Sequence, residues 1–418
     1  MVLQQVRRSG LAVLLSLVLV LTSILESGVG LAQTPSPGTT SPPSPSPRTP
    51  GFDVAVPSAI LVDVKSGQTL FEKNADEPLP LASISKIMVM LLAMEAVAEG
   101  RAKLSDTVTI SSRAESMGGS QMYLAAGSQF TLQELMEMVA VASANDATVA
   151  ITEYLAGSEG AFVDAMNRRA KELGLTKTRF YDASGLPLPG VGENRGSSRD
   201  VAKMSLELVK KHPQVLEWTS IWTKTIRPEL PTMVNTNKLI NHYPGANGLK
   251  TGYTEQAGYC VAATATRGDR TLLAVIFRAA SDDQRVQEAS RLLDYGFDAF
   301  NEVLAVPSGT QVGTAPVKGG RIPGVQAIVD KDVRVLLPRI VSVSGVDQKF
   351  TPKEDLQAPI KKGQTVGELV LRYDSTELDK VPAVAAADVP RAGLLTRLIL
   401  WLRHLVTAVW GAVTGRGR

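Results

Sequence analysis

Pro78-Leu79-Pro80-Leu81-Ala82-Ser83-Ile84-Ser85-Lys86-Ile87-Met88-Val89-Met90-Leu91-Leu92-Ala93-Met94 joins a turn-rich segment to an unbroken apolar run that closes at Gly100. Such a run reads as a helix buried on nearly all sides, with Ser83 in its first turn. Side chains three apart on a helix share a face, so the Lys86 amine can reach the Ser83 hydroxyl and act as its base. An ordinary lysine is charged at neutral pH, so Lys86 needs a lowered pKa. Burial lowers it, and so does a second cation nearby, for which Lys250 is the candidate. The helix N-terminus also favours negative charge developing on the serine oxygen.

Two further signatures follow in the chain. Ser143-Ala144-Asn145 lies where a helical run opened by Thr131-Leu132-Gln133-Glu134, in capping-box spacing, gives way to 146–154. Ser143 is expected in a bend, relaying a proton between Lys86 and a leaving amine, while the Asn145 amide can hold both a lysine and a substrate amide. Lys250-Thr251-Gly252 precedes Tyr253 and a buried strand over 259–266, turned back at Arg267-Gly268-Asp269-Arg270. Lys250 and Thr251 offer a charge and a hydroxyl to a substrate carboxylate, and Gly252 leaves room for a substrate backbone. Taken singly, Ser83 is a helix cap, Ser143 and Asn145 a turn, and Lys250 a solvated strand end. Their order and contexts together point to one active site.

With these residues the chain resembles the penicillin-binding protein family, and specifically the low-molecular-mass D-alanyl-D-alanine carboxypeptidases. Gly118-Gly119-Ser120-Gln121-Met122, Asp182-Ala183-Ser184-Gly185-Leu186, Ser197-Ser198-Arg199-Asp200 and Asn235-Thr236-Asn237-Lys238-Leu239 look like the family's linking segments in the family's order. Ala144 stands where relatives commonly have glycine. The resemblance implies a penicillin-binding, serine-type carboxypeptidase that removes the terminal D-alanine of peptidoglycan stem pentapeptides through a Ser83 acyl-enzyme. It also implies an oxyanion held by the N–H groups of Ser83 and Tyr253, and an arginine near the substrate carboxylate, for which Arg285 is the match. A solvated residue on the helix starting near Asp282 is the competing reading of Arg285. β-Lactam antibiotics are expected as covalent inhibitors. The alternatives are a D,D-endopeptidase on cross-linked peptidoglycan, a class A-like β-lactamase and a non-catalytic peptidoglycan-binding envelope protein. A β-lactamase needs a Glu-x-x-Leu-Asn segment, which Lys177 to Ser184 lacks. A binding module needs no base beside its serine.

The fold expected is of the penicillin-binding protein/β-lactamase type, α/β (α+β): an antiparallel sheet flanked by helices with a helical subdomain. A small all-β domain and a C-terminal amphipathic helix follow it. Strands are read at Ala59 to Val64, Thr69 to Phe71, Tyr259 to Thr266 and Thr271 to Phe277. A helix follows, with Val286, Ala289, Leu293, Phe297 and Phe300 on one face. The domain reading is a signal peptide over 1–32, a Pro/Ser/Thr-rich linker over 33–50, the carboxypeptidase domain over 51–300, a β-rich domain over 301–390 and a membrane-anchoring helix over 391–418. Arg7-Arg8, the apolar run Leu11 to Leu25 and Gly30-Leu31-Ala32 have the basic, apolar and small-residue order of a secretory signal. Between Arg391 and Arg418 there are five arginines and no acidic residue, interleaved with Leu395, Leu398, Trp401, Leu402, Leu405, Val406 and Trp410. That pattern suits an anionic membrane interface. The protein is therefore expected to be exported and attached to the outer face of the cytoplasmic membrane.

A net charge of +3 over 418 residues is too small and dispersed for a nucleic-acid partner. The single cysteine, Cys260, forms no internal disulfide and reads as a buried hydrophobe. His212, His242 and His404 have no ligand spacing, so neither metal nor cofactor is expected.

Overall fold

The computed structural model describes residues 51–187, 190, 192–374 and 376–393. The expected signal peptide, the linker and nearly all of the expected C-terminal helix lie outside them. The first domain is built on five strands: β1 (Ser58–Asp63), β2 (Thr69–Lys73), β3 (Ala246–Thr254), β4 (Gly258–Arg267) and β5 (Arg270–Ala279). They pair antiparallel throughout in the order β2-β1-β5-β4-β3, which leaves β3 as an edge strand.

Side-chain alternation along a strand sends neighbours to opposite faces, and here both faces are covered. Leu273, Val275 and Phe277 of β5 join one core cluster, while Leu272, Ala274 and Ile276 join the other. This double burial gives the nearly continuous apolar runs of β4 and β5. The first face carries the helical part: α1 (Lys86–Ala98), α2 (Leu132–Val141), α3 (Asn145–Ala156) and α4 (Ser198–Lys211). The second carries α5 (Asp282–Ala299), whose Ala289, Leu293 and Phe297 are buried. Helix α1 is enclosed as its sequence implies, and Glu99 and Gly100 end it with Gly100 at φ +72°. The capping box at α2 is formed, the Thr131 side chain and Glu134 satisfying each other's backbone N–H.

Phe300 departs from the helical reading. Helix α5 stops at Ala299, and Phe300 is extended, buried and edge-on to Tyr295. It opens the second domain, whose strands are β6 (Phe300–Val306), β7 (Gln311–Pro316), β8 (Gly324–Ile328), β9 (Val333–Pro338), β10 (Asp347–Pro352), β11 (Thr365–Tyr373) and β12 (Thr376–Ala385). Strand β6 pairs with β9, and the others form a sheet in the order β7-β8-β12-β11-β10. Two small apolar clusters fill this barrel-like unit. Arg391 and Ala392 still belong to it, because Arg391 Nε donates to the Ala358 carbonyl and Ala392 N to that of Gly319.

The two domains are joined by a side-chain clamp. Gln68, in the β1–β2 turn, donates through Nε2 to the Leu336 carbonyl (2.8 Å) and accepts through Oε1 from Leu336 N (3.1 Å). Beside it Lys65 pairs with Glu302 at 3.1 Å. Among the described residues no helix is long and apolar enough to cross a membrane, and no cluster of His, Cys, Asp or Glu is placed to hold a metal ion.

Replacing Gln68 by alanine strips two buried backbone groups of their partners, at about 2 kcal/mol. Thermal unfolding of Gln68→Ala is expected a few degrees below wild type; an unchanged Tm would show that the clamp contributes nothing.

Candidate active site

Ser83 lies in a 3₁₀ turn, Ala82–Ser85, that feeds directly into α1. In this tighter helix side chains three apart stand nearly above one another, which brings the Lys86 amine onto the Ser83 hydroxyl. Lys86 Nζ is 2.9 Å from Ser83 Oγ, 2.7 Å from Asn145 Oδ1 and 2.5 Å from the Ser184 carbonyl. A neutral amine has two hydrogens and one lone pair. Asn145 and Ser184 offer acceptors for both hydrogens, which leaves the lone pair for the serine proton.

Lys86 is fully buried, and burial pushes its pKa down to about 7 against the opposing attraction of Asp182 and Asp146. Lys250 is buried as well, and its pKa is driven well below the ordinary lysine value by burial, then by the positive charges of Lys86 and Arg285.

The second signature occupies the junction of α2 and α3. Ser143 is buried with φ +59°, a left-handed bend, so the backbone freedom falls on the serine and Ala144 needs none. Asn145 opens α3, where its Nδ2 donates to the Gly118 carbonyl (2.7 Å) and its backbone N to that of Ser120 (2.7 Å). The next residue, Asp146, accepts from Met122 N (2.9 Å) and Leu124 N (3.1 Å), fixing the 118–124 segment at the cleft.

The third signature lies on the edge strand β3. Lys250 is 1% exposed and donates to the Thr251 carbonyl at 3.1 Å. Thr251 Oγ1 donates to Thr236 Oγ1 at 2.7 Å. At Gly252 the space expected for a substrate backbone is taken by the protein itself: a Cβ there would lie 2.9 Å from the Leu81 carbonyl. This glycine lets β3 touch the Ala82–Ser85 turn. Tyr253 is 53% exposed and its ring lies against Tyr259, centroids 4.4 Å apart.

Arg285, in the first turn of α5, is 6% exposed, contrary to the solvated reading. It pairs with Asp282 and donates to the carbonyls of Cys260 (3.3 Å) and Thr236 (3.4 Å). The arginine therefore stands behind Thr236, one hydroxyl removed from Thr251. Cys260 is buried in β4, and burial pushes its thiol up to about 12, an inert state.

The residue-by-residue reading did not single out four contributors: Thr236, Asp146, Gly185 and the Ser184 carbonyl. Backbone carbonyls leave no side-chain signal. Gly185 had only its residue type as a signal; the structure gives the reason, φ +85° and an added Cβ 2.0 Å from the Ala82 carbonyl.

The fold and the serine–lysine site define the penicillin-binding protein and β-lactamase class. Residues 42–281 match the D-alanyl-D-alanine carboxypeptidase family and residues 300–391 match the penicillin-binding protein 5 C-terminal domain. The chain belongs to the D-alanyl-D-alanine carboxypeptidase family. It is 37% identical over 344 residues to the D-alanyl-D-alanine carboxypeptidase DacF of Bacillus subtilis, covering 82% of this chain and 87% of that one. Penicillin-binding protein 5 of Haemophilus influenzae has a similar structure, with a TM-score of 0.70 and 28% identity over 85% of this chain and all of that one. Penicillin-binding protein D2 of Listeria monocytogenes, in an ampicillin-bound form, matches at 0.54 and 30% identity over 60% of this chain and all of that one.

A side chain at position 185 would push the Ala82–Ser85 turn off its seat. Gly185→Ala is expected to slow acylation by a fluorescent penicillin at least about tenfold, as misplacement by an ångström does. Wild-type labelling kinetics in that variant would mean the turn yields without cost.

Proposed function

We propose that the serine D-alanyl-D-alanine carboxypeptidase activity of this family is carried here by Ser83 as nucleophile and Lys86 as its base. The observation that supports this most is the three-way contact of Lys86 Nζ with Ser83, Asn145 and Ser184, made by an amine that burial brings to a pKa of about 7. As Ser83 Oγ attacks the carbonyl between the two terminal D-alanines, its proton passes to Lys86 Nζ. Ser143 relays that proton from Lys86 to the departing D-alanine amine, and the C–N bond breaks to leave an acyl-enzyme and a neutral Lys86. Lys86 then takes a proton from water, the hydroxide adds to the ester carbonyl, and Ser83 Oγ leaves with that proton.

The backbone N–H groups of Ser83 and Tyr253 are assigned to the oxyanion, at about 3 kcal/mol per donor. Lys250 and Thr251 bind the substrate's terminal carboxylate, with Arg285 adding positive potential from behind Thr236. Arrival of that carboxylate favours a protonated Lys250, because an opposite charge offsets its burial. The restored cation pushes Lys86 toward its neutral form, so a bound carboxylate prepares the base. A β-lactam, whose strained amide replaces the peptide bond, acylates the same serine.

The peptidoglycan substrate places the enzyme in the cell envelope. The arginine-rich, acid-free sequence from 391 to 418 supports attachment to the outer face of the membrane, with the β domain as a spacer.

Two outcomes test this reading. Ser83→Ala is expected to lose both penicillin labelling and release of D-alanine from a defined pentapeptide; labelling retained in that variant would remove Ser83 from the role. Truncation before Leu394 is expected to free the protein from membrane pellets, and unchanged partition would argue against the anchor.

A further inference from the structure

Asp182 is 2% exposed and opens the Asp182-Ala183-Ser184-Gly185 turn. Its Oδ1 accepts from Ser184 Oγ (2.8 Å) and Gly185 N (2.5 Å). Its Oδ2 is buried with no hydrogen-bond partner among the described residues. Asn194 pins the same backbone, its Nδ2 donating to the Asp182 carbonyl (2.9 Å) and its Oδ1 accepting from Tyr181 N (2.6 Å) and Asp182 N (3.2 Å). This turn directs the Ser184 carbonyl onto Lys86 and lays Gly185 against Ala82, the residue before the nucleophile.

An asparagine or serine would close such a turn equally well. Burying a carboxylate with an oxygen left over is costly, and the turn alone does not account for the charge. We infer that Asp182 is a positioning residue for the Ser83–Lys86 pair, holding the Ser184 carbonyl on the amine and supplying the negative charge that keeps Lys86 a strong enough base. The inference rests on the assignment of Lys86 as that base.

The groups around the pair set the sign of the effect. Asp182 faces Glu159, at the start of the helix Glu159–Glu172, and Lys86 of α1; burial and Glu159 hold its pKa above the ordinary carboxylate value, against the Ser184 and Gly185 bonds and Lys86, which lower it. Lys86 faces Asp182 and, from α3, Asp146, both of which raise its pKa against burial; the neighbouring amine, Lys250 of β3, has its own pKa lowered by burial, Lys86 and Arg285. Loss of the Asp182 charge therefore lowers the Lys86 pKa further. An amine so weakened is unprotonated over a wider pH range but draws the serine proton less strongly in the transition state.

The test uses the full-length protein and the rate of acylation by a fluorescent penicillin as a function of pH. In wild type the rate is expected to rise as pH passes through about 7, where Lys86 loses its proton. Asp182→Asn keeps an acceptor for both turn donors; its acid limb is expected about one pH unit lower, with a plateau reduced several-fold and Tm retained. Asp182→Ala also loses the turn and is expected to acylate about tenfold more slowly at every pH. An Asp182→Asn profile superimposable on wild type overturns the inference, and so does a loss of Tm with an unmoved limb. If the asparagine variant does not fold, Asp182→Ser, another turn-former, is read by the same two outcomes. Absence of any wild-type acylation, or labelling that survives Ser83→Ala, sinks the Ser83 assignment itself and is distinct from either.

Discussion

A lysine amine with no contact to water is the constraint around which this catalytic domain is arranged. Lys86 cannot be buried as an ordinary cation without a large electrostatic cost, so its surroundings must accept two hydrogens and tolerate a lone pair. The Asn145 amide oxygen and the Ser184 carbonyl meet that requirement from opposite sides, and Ser83 occupies the remaining direction. Each acceptor is fixed by its own support: Asn145 by the Gly118 and Ser120 carbonyls, Ser184 by its aspartate-closed turn.

Convergence on one amine draws distant parts of the chain into close backbone contact. Gly185 touches the Ala82 carbonyl, and Gly252 touches that of Leu81, so the Ala82–Ser85 turn is gripped between the 182–186 turn and the edge strand β3. Neither contact survives a side chain at those glycines. Ala82 itself is held at φ +46°, a backbone state that alanine rarely adopts, and the two flanking contacts hold it there.

Much of this was legible in the sequence because it depends on local pattern. The enclosed helix showed as the unbroken run after Lys86, the capping box as Thr131 and Glu134, and the β4–β5 hairpin as Gly268-Asp269 between two apolar stretches. The pairing of Ser83 with Lys86 followed from helical spacing alone. What stayed hidden depends on the backbone or on long-range charge. The Ser184 carbonyl has no side-chain signature, and the partner space at Gly252 could be assigned to ligand or protein only once Leu81 was seen beside it. The sequence likewise could not say that Asp146 and Asp182 would come to lie where they oppose the burial of Lys86. Phe300 fitted the helical face of α5 as well as it fits the start of β6, and the choice is made by packing against Tyr295.

That same junction sets how the two domains are coupled. Helix α5 passes into β6 with no intervening loop, and the Gln68 amide ties the second domain to the β1–β2 turn at an independent point. Two attachments of this kind remove the swivel that a linker would allow. The small domain is thereby indexed to the five-stranded sheet: its heading is built into the junction rather than left to a linker.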